Sequence, residues 1–156
     1  MRTSQSPTTL ENPPSQSALE EQRLPVRAKL AVAWTSLMFV YVYVDILNFF
    51  KPGVVDEILA GMVHEFDTGP TFVSLALTLM AIPSLMVLLS ATLPARASRI
   101  VNLVVAALFI PVTICNVAGE ESWAYSYFYG FSIGLEVLIL AFILRSAWTW
   151  PRRSCS

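Results

Sequence analysis

Apolar residues are massed in four blocks along this chain, at Leu30–Phe50, Thr71–Leu93, Ile100–Ala118 and Ala124–Leu144. They do not recur at the spacing of a half-buried helix or strand. A helix of ~20 residues rising 1.5 Å per residue crosses a hydrocarbon core of ~30 Å. The pattern therefore predicts an all-α membrane protein: an antiparallel four-transmembrane-helix bundle with a short extracytoplasmic amphipathic helix. That extra helix follows the first span. Lys51-Pro52-Gly53 stops the span. Val54, Val55, Ile58, Leu59, Met62, Val63 and Phe66 then share one helical face, Asp56, Glu57, His64 and Asp67 the other, and Gly69-Pro70 closes the segment. Its acidic polar face gives no attraction to anionic lipid, so it is expected to rest on the span ends as a cap or lid. One histidine without a second argues against a divalent-cation site around His64.

Composition agrees with lipid as the solvent. The chain is 55% apolar and only 13% charged, about half the charge of an ordinary soluble domain. Stability is then expected from helix packing and satisfied backbone bonds within lipid. No span has the shape of a removable signal peptide, since a long polar stretch precedes the first. The sequence divides into a Ser-, Thr-, Gln- and Pro-rich tail over residues 1–27, expected to be disordered and cytoplasmic, a transmembrane domain over residues 28–150, and a short cytoplasmic tail over residues 151–156.

The net charge of -1 hides an asymmetry. Arg23, Arg27 and Lys29 precede the first span, Arg96 and Arg99 join the second to the third, and Arg145, Arg152 and Arg153 follow the fourth. Only Lys51 lies on the other side. Cytoplasmic loops of membrane proteins hold an excess of Lys and Arg, which predicts a multi-pass plasma (inner) membrane protein with both termini cytoplasmic. Trp123, Tyr125, Trp148 and Trp150 read as interfacial belts. Cys115 and Cys155 fall on opposite sides of the membrane and cannot pair, and Cys115 reads as a small packing residue. No basic run suggests nucleic acid, and no spacing calls for a metal or other cofactor.

Projection at 100° per residue aligns the polar side chains within each span. Trp34, Met38, Tyr41, Asp45 and Asn48 share a stripe on the first; Ser74, Thr78 and Ala81 on the second; Asn102, Phe109, Thr113 and Asn116 on the third; Tyr129, Ser132 and Glu136 on the fourth. A charge at the bilayer centre costs roughly 2.5–3.5 kcal/mol on insertion scales, so these stripes should meet at the axis. The expected result is a polar pocket toward the outside, with Glu136 at its floor. Tyr41, one turn before Asp45, is within reach of its carboxylate. The cytoplasmic half reads as nearly all aliphatic, with Leu30, Leu85, Val87, Leu88, Leu103, Val104, Leu138 and Ile143. No basic residue lies at the depth of the two acids, which are expected to share protons. Pro83 and Pro111 are expected to kink their spans. Gly130 and Gly134 form a small-xxx-small pair about 140° from Glu136, suited to a helix of this chain, a second copy or a membrane partner.

Several stretches resemble an uncharacterised bacterial family of small four-helix integral membrane proteins, a domain of unknown function. They are Tyr41-x-Tyr43-x-Asp45-Ile46-Leu47 with Lys51-Pro52-Gly53, Ile82-Pro83 with Met86-Val87-Leu88-Leu89-Ser90, and the hinge with Arg96, Arg99 and Asn102. The aromatic cluster Tyr125–Phe131, continued through Glu136 to Ala147-Trp148-Thr149-Trp150, completes the set. The resemblance covers about Lys29 to Pro151 and implies four helices, an inner-membrane location and no activity. Members of that family often carry an acid before the Ile-Pro of the second span, where Ala81 stands here.

Three functions fit these features unequally. The first is a non-enzymatic protein whose pocket binds or passes a proton, cation or small polar solute. Asp45 and Glu136 would carry the charge, and Tyr41, Asn48, Asn116 and Tyr129 would orient them. The second is an accessory subunit in which the same polar stripes are interhelical glue and Gly130 and Gly134 dock a partner. An intramembrane enzyme is the least supported, because no paired histidines and no nucleophile–base arrangement are present.

Overall fold

The computed structural model describes residues 24–63, 66–115 and 123–150. Four long helices dominate: α1 (Val26–Asn48), α3 (Pro70–Thr92), α4 (Ala95–Cys115) and α5 (Ser126–Trp148). Each is long and apolar enough to cross a membrane. α1 and α4 begin four or five residues before the expected blocks and α5 ends four after, because flanking polar residues continue a helix once it is nucleated. α3 and α4 both run through an internal proline, Pro83 and Pro111. Only Leu93 and Pro94 separate these two helices. The expected tight turn over Gly119–Ser122, the N-terminal tail before residue 24, the C-terminal tail, His64, Asn116 and Cys155 lie outside the described residues.

The segment between α1 and α3 differs from the single amphipathic helix read from its apolar periodicity. Helix α2 covers only Val54–Leu59. Gly61 follows at φ +82°, a left-handed conformation that ends a helix and that glycine adopts without strain. Two short strands then pair antiparallel, β1 (Met62–Val63) and β2 (Phe66–Asp67), with Met62 opposite Asp67 and Val63 opposite Phe66. The Thr68 N–H donates to the Gly61 carbonyl at 2.9 Å and closes the loop.

Buried residues recur every three or four positions on each long helix. They are Leu30, Ala33, Trp34, Leu37 and Tyr41 on α1; Ser98, Asn102, Ala106, Phe109 and Thr113 on α4; and Ser132, Glu136, Leu140, Ile143 and Ala147 on α5. α3 buries only Pro83, Met86 and Ser90. α1 packs between α3 and α5, and α5 packs on α4. The small residues in these stripes let the backbones approach, while Trp34 reaches from α1 to Phe109 on α4, edge to face with centroids 6.1 Å apart.

Three expectations about these helices are corrected. The half distant from α2 is not nearly all aliphatic, for it contains a buried polar network. Asn102 Oδ1 accepts from Trp34 Nε1 at 2.7 Å and from Ser90 Oγ at 3.1 Å. Asn102 Nδ2 donates to the Ser98 carbonyl at 2.8 Å. Leu85, Leu88, Val104 and Leu138, assigned to that aliphatic half, point outward. Where most residues are apolar, hydrophobicity no longer selects the inner face, and the polar side chains take it. Ser74 and Thr78 are the converse: both are exposed, and each hydroxyl is satisfied by the carbonyl four residues back, at 2.7 and 2.8 Å. Cys115 is exposed rather than packed.

Candidate functional site

The polar residues at the α2 end of the long helices lie at two depths. The deeper level is held by α1, α4 and α5. Glu136 is 6% exposed and Tyr41 5%. The Tyr41 and Thr113 hydroxyls are 3.4 Å apart, and the Thr113 hydroxyl lies beside the Glu136 carboxyl. Tyr41 therefore pairs with Thr113 across the helices, and its nearness to Asp45 along α1 is not used for a bond. The three groups form a series, Tyr41 to Thr113 to Glu136. With Glu136 ionised, Thr113 can donate to it and Tyr41 can donate to Thr113. With Glu136 protonated, each donor and acceptor can exchange roles, because hydroxyls and carboxylic acids do both.

The shallower level is a cleft of about 240 Å³ between the end of α1 and the segment after it. Asp45, Asn48 and Phe49 line it from α1, Val54, Glu57 and Ile58 from α2, and Met62 and Val63 from β1. Asp45 is exposed on this wall, and its charge is close enough to act on Glu136. The two carboxylates thus stand at adjoining levels, one reachable from the cleft and one enclosed.

A lysine joins the site. Lys51, read from sequence only as part of a helix stop, donates from Nζ to Tyr129 Oη at 2.6 Å. Tyr129 Oη in turn donates to Asn48 Oδ1 at 3.2 Å. The ammonium lies 4.9 Å from the Tyr125 ring centroid and 4.7 Å from that of Tyr129, inside the range of cation–π attraction. Its reach could have been inferred from the aromatic cluster on the same side, whose ring faces attract a cation. Of the six residues proposed from sequence, Tyr41 and Glu136 come together with Thr113, Asp45 and Asn48 line the cleft, Tyr129 ties Asn48 to Lys51, and Asn116 lies outside the described residues. Among the described residues, no three His, Cys, Asp or Glu side chains are placed to hold a metal ion.

The remaining candidate, the pair Gly130 and Gly134, is on the outer surface of α5. A Cβ built on either glycine meets nothing within 4 Å among the described residues.

A family model covers residues 20–155. The chain belongs to DUF6326, a family of unknown function. No curated protein and no solved structure matches this DUF6326 chain. Its site therefore has to be interpreted from its own chemistry.

Proposed function

We propose that this DUF6326 chain is an antiparallel four-helix protein of the plasma (inner) membrane, with both termini in the cytoplasm, that binds or passes a proton, cation or small polar solute. Four helices of sufficient length and the Lys/Arg asymmetry support the placement. The pocket then opens toward the outer face, at the α2 end. One observation carries the functional reading: Glu136 is enclosed between α1, α4 and α5, next to Thr113 and Tyr41 and within electrostatic range of Asp45. An acid kept at that depth without a basic partner in its hydrogen-bond series is suited to taking up and releasing a charge. Leu30, Leu37, Leu140 and Ile143, all fully buried, and the Trp34–Asn102 bond close the opposite half. Exchange from one side, with passage only after a rearrangement, fits that closure.

The test is proton uptake by the purified chain in liposomes, followed with a pH-sensitive dye under an imposed gradient. Wild type takes up protons, and Glu136→Gln and Asp45→Asn lose the response while remaining folded. Equal traces for all three proteins would remove the proposal.

One observation favours a second reading, an accessory subunit. The open surface beside Gly130 and Gly134 leaves room for a helix from another molecule. A membrane partner that copurifies with wild type and is lost in Gly134→Leu would support it.

A further inference from the structure

We infer that the cleft between α1 and the α2–β1 segment binds a small organic ammonium ion with an apolar body. The inference rests on the proposed reading of the Asp45–Glu136 site and names its solute class.

Two carboxylates from separate elements, Asp45 and Glu57, face the cleft, and among the described residues no basic side chain lines it. The nearby cation, Lys51, is turned onto Tyr129 and the two tyrosine rings. The sign of the ligand follows: an anion would meet two like charges with no counter-charge among the described lining residues. The rest of the lining is mainly apolar, with Phe49, Ile58, Met62 and Val63. An inorganic cation replaces its water with a cage of oxygen ligands, and such walls do not supply one. They suit a ligand that buries hydrocarbon while a few polar groups fix its orientation. A volume of about 240 Å³ admits a small molecule of that kind and exceeds what a bare metal ion needs. The cleft also lies where an α1 long enough to cross a membrane ends, the depth at which a ligand with a charged head and an apolar tail partitions.

The full chain in nanodiscs of phosphatidylcholine, a lipid with no net charge, provides the test. The probes are 2-phenylethylammonium, its uncharged counterpart 2-phenylethanol and the anion 3-phenylpropionate, with binding read by titration calorimetry. The ammonium binds, the alcohol binds at least about tenfold more weakly, as expected when a charge-assisted hydrogen bond is missing, and the anion does not bind. Glu57→Gln weakens the ammonium by about tenfold through the same loss. Met62→Trp fills the cleft and removes binding. Glu57 and Met62 are exposed, so neither change disturbs the core. Equal affinity for alcohol and ammonium, or wild-type affinity in Glu57→Gln, overturns the inference. Wild-type protein that takes up protons in liposomes yet binds no ammonium overturns it while leaving the proposed function standing. Ammonium binding without proton uptake supports the cleft and removes the proton reading alone.

Discussion

Trp34 on α1 donates its indole N–H to Asn102 on α4 at 2.7 Å, across 68 residues of sequence. Asn102 Oδ1 accepts a second bond from Ser90, and its Nδ2 donates to the Ser98 carbonyl and, at 3.4 Å, to Ser98 Oγ. The network joins three helices in the half of the bundle distant from α2. Asn102→Leu orphans the buried Trp34 and Ser90 donors and is expected to destabilise the fold by ~1–3 kcal/mol. Trp34→Phe removes one donor and leaves Ser90 in place, so its cost should be smaller. Unfolding in mixed micelles, with the double variant to close the cycle, measures both. Equal stability of Asn102→Leu and wild type would contradict the network's role.

Thr113 connects Tyr41 to Glu136. Thr113→Val keeps the shape and removes the hydroxyl. It should cost ~1–3 kcal/mol, because two buried polar groups lose their shared partner. Proton uptake should also fall, although Glu136 itself is untouched. Thr113→Ser restores the hydroxyl and should restore uptake. A Thr113→Val protein with wild-type uptake would show that the series is not used.

Lys51 and Tyr129 hold the end of α1 against α5. Tyr129→Phe keeps a ring face for the ammonium and loses only the hydroxyl, for an expected ~0.5–1.5 kcal/mol. Lys51→Ala loses the hydrogen bond and also the cation–π attraction, worth a further ~0.5–2 kcal/mol. Hydrogen exchange at residues 46–51 should therefore accelerate more in Lys51→Ala than in Tyr129→Phe. The reverse order would mean that the hydroxyl dominates.

Gly61 has φ +82° between α2 and β1. Gly61→Ala meets no clash among the described residues, where the nearest atom to a built Cβ is Thr68 Oγ1 at 3.8 Å. Its cost is backbone strain alone, ~1–2 kcal/mol. The effect should be local: faster exchange over residues 54–63 and weaker ammonium binding, with global unfolding unchanged. A global loss of stability would refute this localisation.

Cys115 is exposed at the described end of α4. In the proposed orientation that end faces outward. A membrane-impermeant maleimide added to intact spheroplasts should label Cys115 and leave Cys155 unlabelled until the membrane is opened. The opposite pattern reverses the topology.

Much of the fold could be read from the chain, because block length and apolarity are local properties. The inward positions of Trp34, Tyr41, Asn102, Thr113, Ser132 and Glu136 were readable as well, since a helix fixes the angle between its own residues. Three features were not. Apolar spacing over residues 54–66 suits one helix, but the left-handed Gly61 turns the second half into strands, and periodicity is blind to that conformation. Ser74 and Thr78 align on α3 with no neighbour to receive them, and projection cannot say which side has a neighbour. The Trp34–Asn102 bond and the Lys51–Tyr129 contact join residues far apart in sequence, so their pairing depends on how whole helices are placed.

α3 has the highest mean hydropathy of the four long helices, 2.3, and the smallest buried share, 11%. Its only buried residues, Pro83, Met86 and Ser90, belong to its second half. In a bilayer most of its first half, up to Leu79 and Met80 where it meets the core, would be solvated by acyl chains. α3 can then partition into the membrane early in biogenesis by its own affinity for hydrocarbon. α1, α4 and α5 carry the buried amide, hydroxyl and carboxyl groups and settle only once they find one another. An order of assembly is thereby favoured by how few polar groups α3 has to bury.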